Sequence, residues 1–154
     1  HSNYEYLFLI SRAITIKGTY HLNQFDIIIL THGEAGNYLL SSSEMIVGKT
    51  KNSTSLSLQP GMSPETLMLQ VKAVLRPGID TLIFTDIYGG TPSNIALLLS
   101  KDFPIRCISG VNLAMLIEAN MLQDSDEILT FEEYVQHVHD AGKEMVQTYY
   151  FNKG

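Results

Sequence analysis

Thr81-Leu-Ile-Phe-Thr-Asp86-Ile-Tyr-Gly-Gly90-Thr-Pro-Ser-Asn94 is the stretch that decides the fold. A run of β-branched and aromatic residues ends in a carboxylate, then come paired glycines and Thr-Pro. The run over Thr81–Thr85 reads as a buried strand. The glycines permit a tight turn, and Pro92 just inside the next segment is pre-set for a helix start. A helix beginning there presents unpaired backbone N–H groups and a partial positive charge, which together make an anion site. A second strand end, Asp26-Ile-Ile-Ile-Leu-Thr31-His32-Gly33, delivers a histidine in the same manner.

The same strand-then-helix unit recurs on either side. A strand over about 26–31 leads to a helix over roughly 35–48, with Leu39, Leu40, Ser43, Ile46 and Val47 on one face and Gly48 as its stop. A strand over about 53–59 alternates Leu56 and Leu58 with serines and belongs near a sheet edge. Ser63-Pro64 opens a helix using Leu67, Met68, Val71, Val74 and Leu75, which ends at Pro77-Gly78. The helix opened by Thr91-Pro92 is apolar nearly all round (Ile95-Ala-Leu-Leu-Leu99), which predicts thorough burial. A fourth strand, Ile105–Ser109, precedes a short helix with Leu113, Leu116, Ile117 and Met121. Thr130-Phe-Glu-Glu133 has capping-box spacing and opens a last helix that buries Phe131, Tyr134, Val135, Val138, Met145 and Tyr149. Four strands alternating with helices predict an α/β domain with an open, mainly parallel sheet and helices on both faces.

Composition narrows the function classes. A 154-residue chain with 45% hydrophobic and 17% charged residues is an ordinary globular sequence large enough for one domain. Its net charge of −6, with no Lys/Arg cluster, argues against a nucleic-acid surface. No apolar run approaches the ~20 residues that cross a bilayer. The single cysteine, Cys107, cannot form an intramolecular disulfide, and no Cys/His pattern has zinc-site spacing. A reducing, cytoplasmic setting is expected, with no metal and no cofactor. Residues 1–25 differ from the rest and are set apart as an N-terminal appendage to a domain over 26–154, a chain starting at His1 suggesting a trimmed product.

In open α/β sheets the site lies beyond the carboxyl ends of the strands, where strand order reverses. In the common 2-1-3-4 order that point falls between the strands ending in His32 and Asp86. Each feature alone is ordinary: a polar strand end, a turn-capping carboxylate, a glycine connection without a P-loop lysine. Together they say more. A carboxylate bonded to one imidazole nitrogen fixes the tautomer and leaves the other as nucleophile. The glycine turn receives the anion the nucleophile acquires. The chemistry suggested is phosphoryl transfer through a phosphohistidine.

Thr31-His32-Gly33, Ser43-Glu-Met-Ile-Val-Gly48, Asp86-Ile-Tyr-Gly-Gly-Thr-Pro-Ser-Asn94 and Ser109-Gly-Val-Asn-Leu-Ala-Met-Leu-Ile-Glu118 occur in one consistent order. They resemble the enzyme IIA component of the mannose-type (mannose/fructose/sorbose) sugar phosphotransferase system, over about 26–150. The resemblance implies a cytoplasmic carrier that accepts phosphate from HPr on His32 and passes it to enzyme IIB, serving a membrane sugar permease. It implies Asp86 as the orienting carboxylate, Thr91 at the phosphate-facing helix start and Tyr88 near the site, with Gly33, Gly89 and Gly90 completing the phosphate cradle. It also implies a homodimer that exchanges a late antiparallel strand, placed near Glu127-Ile-Leu129. Ala114 departs from the family's proline after Asn-Leu, and no enzyme IIB domain follows in this sequence, which suggests a stand-alone subunit. Two alternatives share the resemblance: the regulatory phosphoacceptor domain of a transcription activator and the dihydroxyacetone-kinase phosphotransfer subunit. A flavodoxin-like nucleotide or flavin binder is a weaker reading of the same fold.

Other candidates carry less. His137 and His139 lie two apart on a predicted helix and diverge, whereas a helical metal pair needs i,i+4 spacing. His1 and His21 fall in the appendage. Cys107 is expected to be a small buried hydrophobe. The acidic surplus would steer a basic carrier to the site.

Overall fold

The computed structural model describes residues 24–153. The N-terminal readings up to residue 23 lie outside the described residues. Four strands, β1 (Asp26–His32), β2 (Ser53–Leu58), β3 (Thr81–Thr85) and β4 (Ile105–Ser109), form one sheet in the order β2-β1-β3-β4. All three pairings are parallel, so β1 and β3 are central and end side by side. Five helices connect or follow them: α1 (Ala35–Val47), α2 (Pro64–Val74), α3 (Thr91–Leu99), α4 (Leu113–Gln123) and α5 (Phe131–Glu144). This is the predicted doubly covered sheet, with the expected strand order.

The central strands are buried on both faces, as their unbroken apolar runs require. Ile27, Ile29, Leu82, Phe84 and Ile108 pack under α1, α4 and α5, meeting Met115, Leu116, Tyr134 and Val138. Ile28, Leu30, Ile83 and Ile105 face α2 and α3 through Leu67, Val71, Ile95, Ala96 and Leu99. β2 is an edge strand with every residue half-buried, matching its Leu/Ser alternation. The helix starts follow the capping chemistry of the sequence. Ser63 and Asn112 side chains accept N–H groups of α2 and α4, and Thr130 with Glu133 closes a full capping box on α5. Gly142 on α5 sits so close to α4 that a β-carbon there would overlap Met115. Phe25 is buried and stacks obliquely on Phe131 and Tyr134, at centroid distances of 5.2 and 4.6 Å.

Several burial expectations are corrected. Leu97 and Leu98 on α3 are exposed, because only one side of that helix meets the sheet. Ile46 on α1 and Met121 on α4 also face outward. Cys107 is exposed, since β4 lies at the sheet edge. Met145 and Tyr149 do not join the core: α5 ends at Glu144, and Met145, Val146, Tyr149, Tyr150 and Phe151 are all exposed. Residues 127–129 carry no regular secondary structure, so among the described residues the sheet has no late antiparallel strand.

Candidate functional site

β1 ends in His32 and β3 runs directly into Asp86, and their adjacency in the sheet brings the two side chains together. The Asp86 Oδ2 atom lies 2.9 Å from His32 Nδ1 and also accepts the His32 backbone N–H at 3.0 Å. A carboxylate oxygen receiving both groups makes Nδ1 the protonated ring nitrogen and leaves Nε2 with its lone pair. Asp86 Oδ1 accepts the Ile87 N–H at 3.1 Å, so the carboxylate is held at both oxygens. Partial burial pushes the Asp86 carboxyl up, but hydrogen bonds from the His32 side chain and backbone, with their charge, outweigh it. The net result is a carboxyl below the usual range, ionised at neutral pH. The imidazole side chain is 50% exposed, so the ring is in contact with solvent.

The glycine turn fits closely against the ring. A β-carbon on Gly90 would sit 3.0 Å from His32 Cε1 and 3.1 Å from Ile87 Cγ2, so position 90 needs a residue without one. Gly89 takes a left-handed φ of 84° to make the turn. Two side chains of α3 hold its peptide: Ser93 Oγ accepts the Gly89 N–H at 3.3 Å, and Asn94 Nδ2 donates to the Gly89 carbonyl at 3.4 Å. The first intrahelical bond of α3 runs from Asn94 N–H to the Gly90 carbonyl at 2.9 Å. The N–H groups of Gly90 and Thr91 lie ahead of that bond, at the positive end of the helix dipole.

The sequence-predicted residues therefore separate. His32, Asp86 and Gly90 converge, with Thr91 as the first residue of α3. Gly33, at φ 54°, turns the chain after His32, but its N–H is bonded to the Leu58 carbonyl at 2.9 Å and continues the β1–β2 ladder. Tyr88 stands in the loop beside Asp86 with its side chain in solvent. Sequence reasoning missed Ser93 and Asn94 as turn clamps. It also gave no role to Thr31, whose hydroxyl takes the Gly36 N–H, or to Glu34, which accepts hydrogen bonds from Asn37 and Gln59. Ser93 and Asn94 were legible in principle, because polar residues in the first turn of a glycine-led helix often bond the turn itself.

Comparison with known proteins identifies the family. The family model described as "PTS system fructose IIA component" (EIIA-man) matches residues 26–139. The chain belongs to this family. The mannose-specific EIIAB component of Escherichia coli K12 is 35% identical over 127 residues, covering 79% of this chain and 38% of that protein. The chain thus spans 38% of the length of this mannose-specific relative. The fructose-specific EIIA component of Bacillus subtilis is 31% identical over 103 residues, covering 64% of this chain and 70% of the other. Among solved structures, EIIA of Streptococcus agalactiae superposes with a TM-score of 0.75 at 30% identity, over 81% of this chain and 97% of that one. The mannose/sorbose-specific IIA subunit of Enterococcus faecalis gives a TM-score of 0.76 at 25% identity, over 85% of this chain and 98% of that one. A sigma-54 interaction domain protein of Enterococcus faecalis, at 17% identity and a TM-score of 0.64, shares the fold.

Proposed function

We propose that this family member is a phosphoryl carrier of a sugar phosphotransferase system. The observation that carries the reading is the His32–Asp86 pair: one ring nitrogen is held at 2.9 Å and the other is free beside a helix start. His32 Nε2 attacks the phosphorus of phosphorylated HPr. An N–P bond forms, the bond from phosphorus to the donor breaks, and its electron pair returns to the donor. Asp86 keeps the Nδ1 proton in place and balances the charge gained by the phosphorylated imidazole. The N–H groups of Gly90 and Thr91 receive the phosphoryl oxygens. Transfer to enzyme IIB reverses these steps, and the phosphate then reaches a sugar entering through a membrane permease. The protein acts in the cytoplasm; among the described residues no helix is long and apolar enough to cross a membrane. The relatives matched are sugar phosphotransferase components, which favours neither the regulator nor the dihydroxyacetone-kinase alternative.

A second copy of the chain is a further partner. β4 forms one of the two edges of the described sheet, and the β-prone segment Met145–Phe151 that follows α5 exposes its large apolar side chains. That segment exposes five large apolar side chains, Met145, Val146, Tyr149, Tyr150 and Phe151, whereas 127–129 exposes Ile128. The functional reading is tested by incubating the protein with phosphoenolpyruvate, enzyme I and HPr. A single phosphate is expected on each chain, and none on His32→Ala. Undiminished labelling of that variant would remove His32 as the acceptor.

A further inference from the structure

We propose that Thr31 is a positioning residue for His32: its buried hydroxyl locks the turn on which the imidazole is mounted. Thr31 is fully buried at the penultimate position of β1. Its Oγ1 accepts the Gly36 N–H at 2.9 Å, a buried bond across five residues, and donates to the Gly33 carbonyl at 3.4 Å. One hydroxyl thus ties the first turn of α1 to the left-handed glycine that follows His32. Glu34, the residue preceding α1, makes no side-chain capping bond, so Thr31 supplies the cap from inside the fold.

Gly36 makes this possible. A β-carbon there would stand 3.1 Å from Thr31 Oγ1 and 2.9 Å from both Ile29 Cγ2 and Ser55 Oγ. The backbone of α1 can reach the threonine only because that space is left open. The backbone around His32 is then held at several points: its own N–H by Asp86, the next N–H by the Leu58 carbonyl, and the Gly33 carbonyl and Gly36 N–H by Thr31. The 2.9 Å contact between Nδ1 and Oδ2 depends on where this frame puts the histidine backbone. Loosening the frame lets the ring leave Asp86 and sample the other tautomer, without any change in the groups that touch phosphate.

The inference rests on the carrier reading for its kinetic arm and is independent of it in its spectroscopic arm. Thr31→Val keeps the shape and removes the hydroxyl, leaving a buried N–H without its partner. A fall in kcat of phosphoryl transfer on the order of tenfold to a hundredfold is expected, with KM for HPr little changed. Thr31→Ser, which keeps the oxygen, should restore most of the rate. Nitrogen-15 spectra of the His32 ring should show the Nδ1-protonated tautomer in the unmodified protein and in Thr31→Ser, and a mixture in Thr31→Val. Gly36→Ala, which forces the helix off an intact hydroxyl, should give the same mixture. In the unmodified protein the Gly36 amide should exchange as slowly as amides inside α1, a measurement that needs no variant to fold. An unmodified protein that HPr does not label would overturn the carrier reading alone. A wild-type tautomer and rate in folded Thr31→Val, or free exchange at Gly36, would overturn the role of Thr31.

Discussion

Each end of β1 holds one member of a pair between a carboxylate and a nitrogen-bearing side chain, and the two pairs are built differently. At its start, Asp26 takes two hydrogen bonds from Arg76, 2.7 Å from Nε and 2.6 Å from Nη2. Both carboxylate oxygens face one planar guanidinium, which is the closed fork geometry of a structural pair. At its end, Asp86 holds one side of a ring whose other nitrogen stays open, in front of a helix start. The contrast is one of completeness. The Asp26–Arg76 pair engages both carboxylate oxygens with a cation that has donors only and no lone pair, and it holds the fold together. A pair that deliberately leaves one basic atom unsatisfied retains something to react with. The distinction lies in the partner and not in the carboxylates, one of which opens β1 while the other follows the end of β3.

Substitutions at the two pairs should differ in what they change. Asp86→Asn should have the largest effect, a loss of transfer rate of about a hundredfold or more with the fold intact. A carboxamide can donate to Nδ1 as well as accept from it, so the reactive nitrogen would no longer be defined. Rapid-quench phosphorylation beside a thermal melt checks it, and unchanged kinetics would remove Asp86 from the mechanism. Gly90→Ala comes next: the added methyl meets His32 Cε1, and a displaced ring should cost roughly tenfold in rate.

Acid should then bring the wild type and Asp86→Asn together in stability. The Asp86 carboxyl lies below its ordinary value of 3.8, so the stability it contributes is complete above that pH. As pH falls from 3.8 through the lower folded value, that contribution is lost and the two unfolding curves should converge. A stability gap that persisted well below that range would contradict the assigned direction. Arg76→Ala should have the smallest effect, with wild-type transfer and a stability loss of about 1 kcal/mol in urea titration, since Arg76 is half exposed. A comparable fall in transfer would erase the distinction between the two pairs.

Much of this was legible because hydrophobic period and punctuation carry it. Continuous apolar runs in Ile27–Leu30 and Leu82–Phe84 marked central strands, and the serines of β2 marked an edge. His32 and Asp86 were legible as strand ends facing a switch point. What failed was partner geometry. Leu97, Leu98, Met145 and Tyr149 are apolar, but apolarity does not say which face of a helix meets the sheet or where the last turn stops. The bond from Gly36 N–H to Thr31 Oγ1 was invisible for another reason. A side chain bonding a backbone group a few residues away leaves no periodic trace.

The length of β1 has a consequence for how such a chain can change. Seven residues at about 3.3 Å each put roughly 20 Å between the Arg76 fork and the imidazole. Substitutions that far apart, with no shared partner, generally add rather than interact. Thermal tolerance and transfer rate can therefore be adjusted separately from the two ends of one strand, by mutation or by selection.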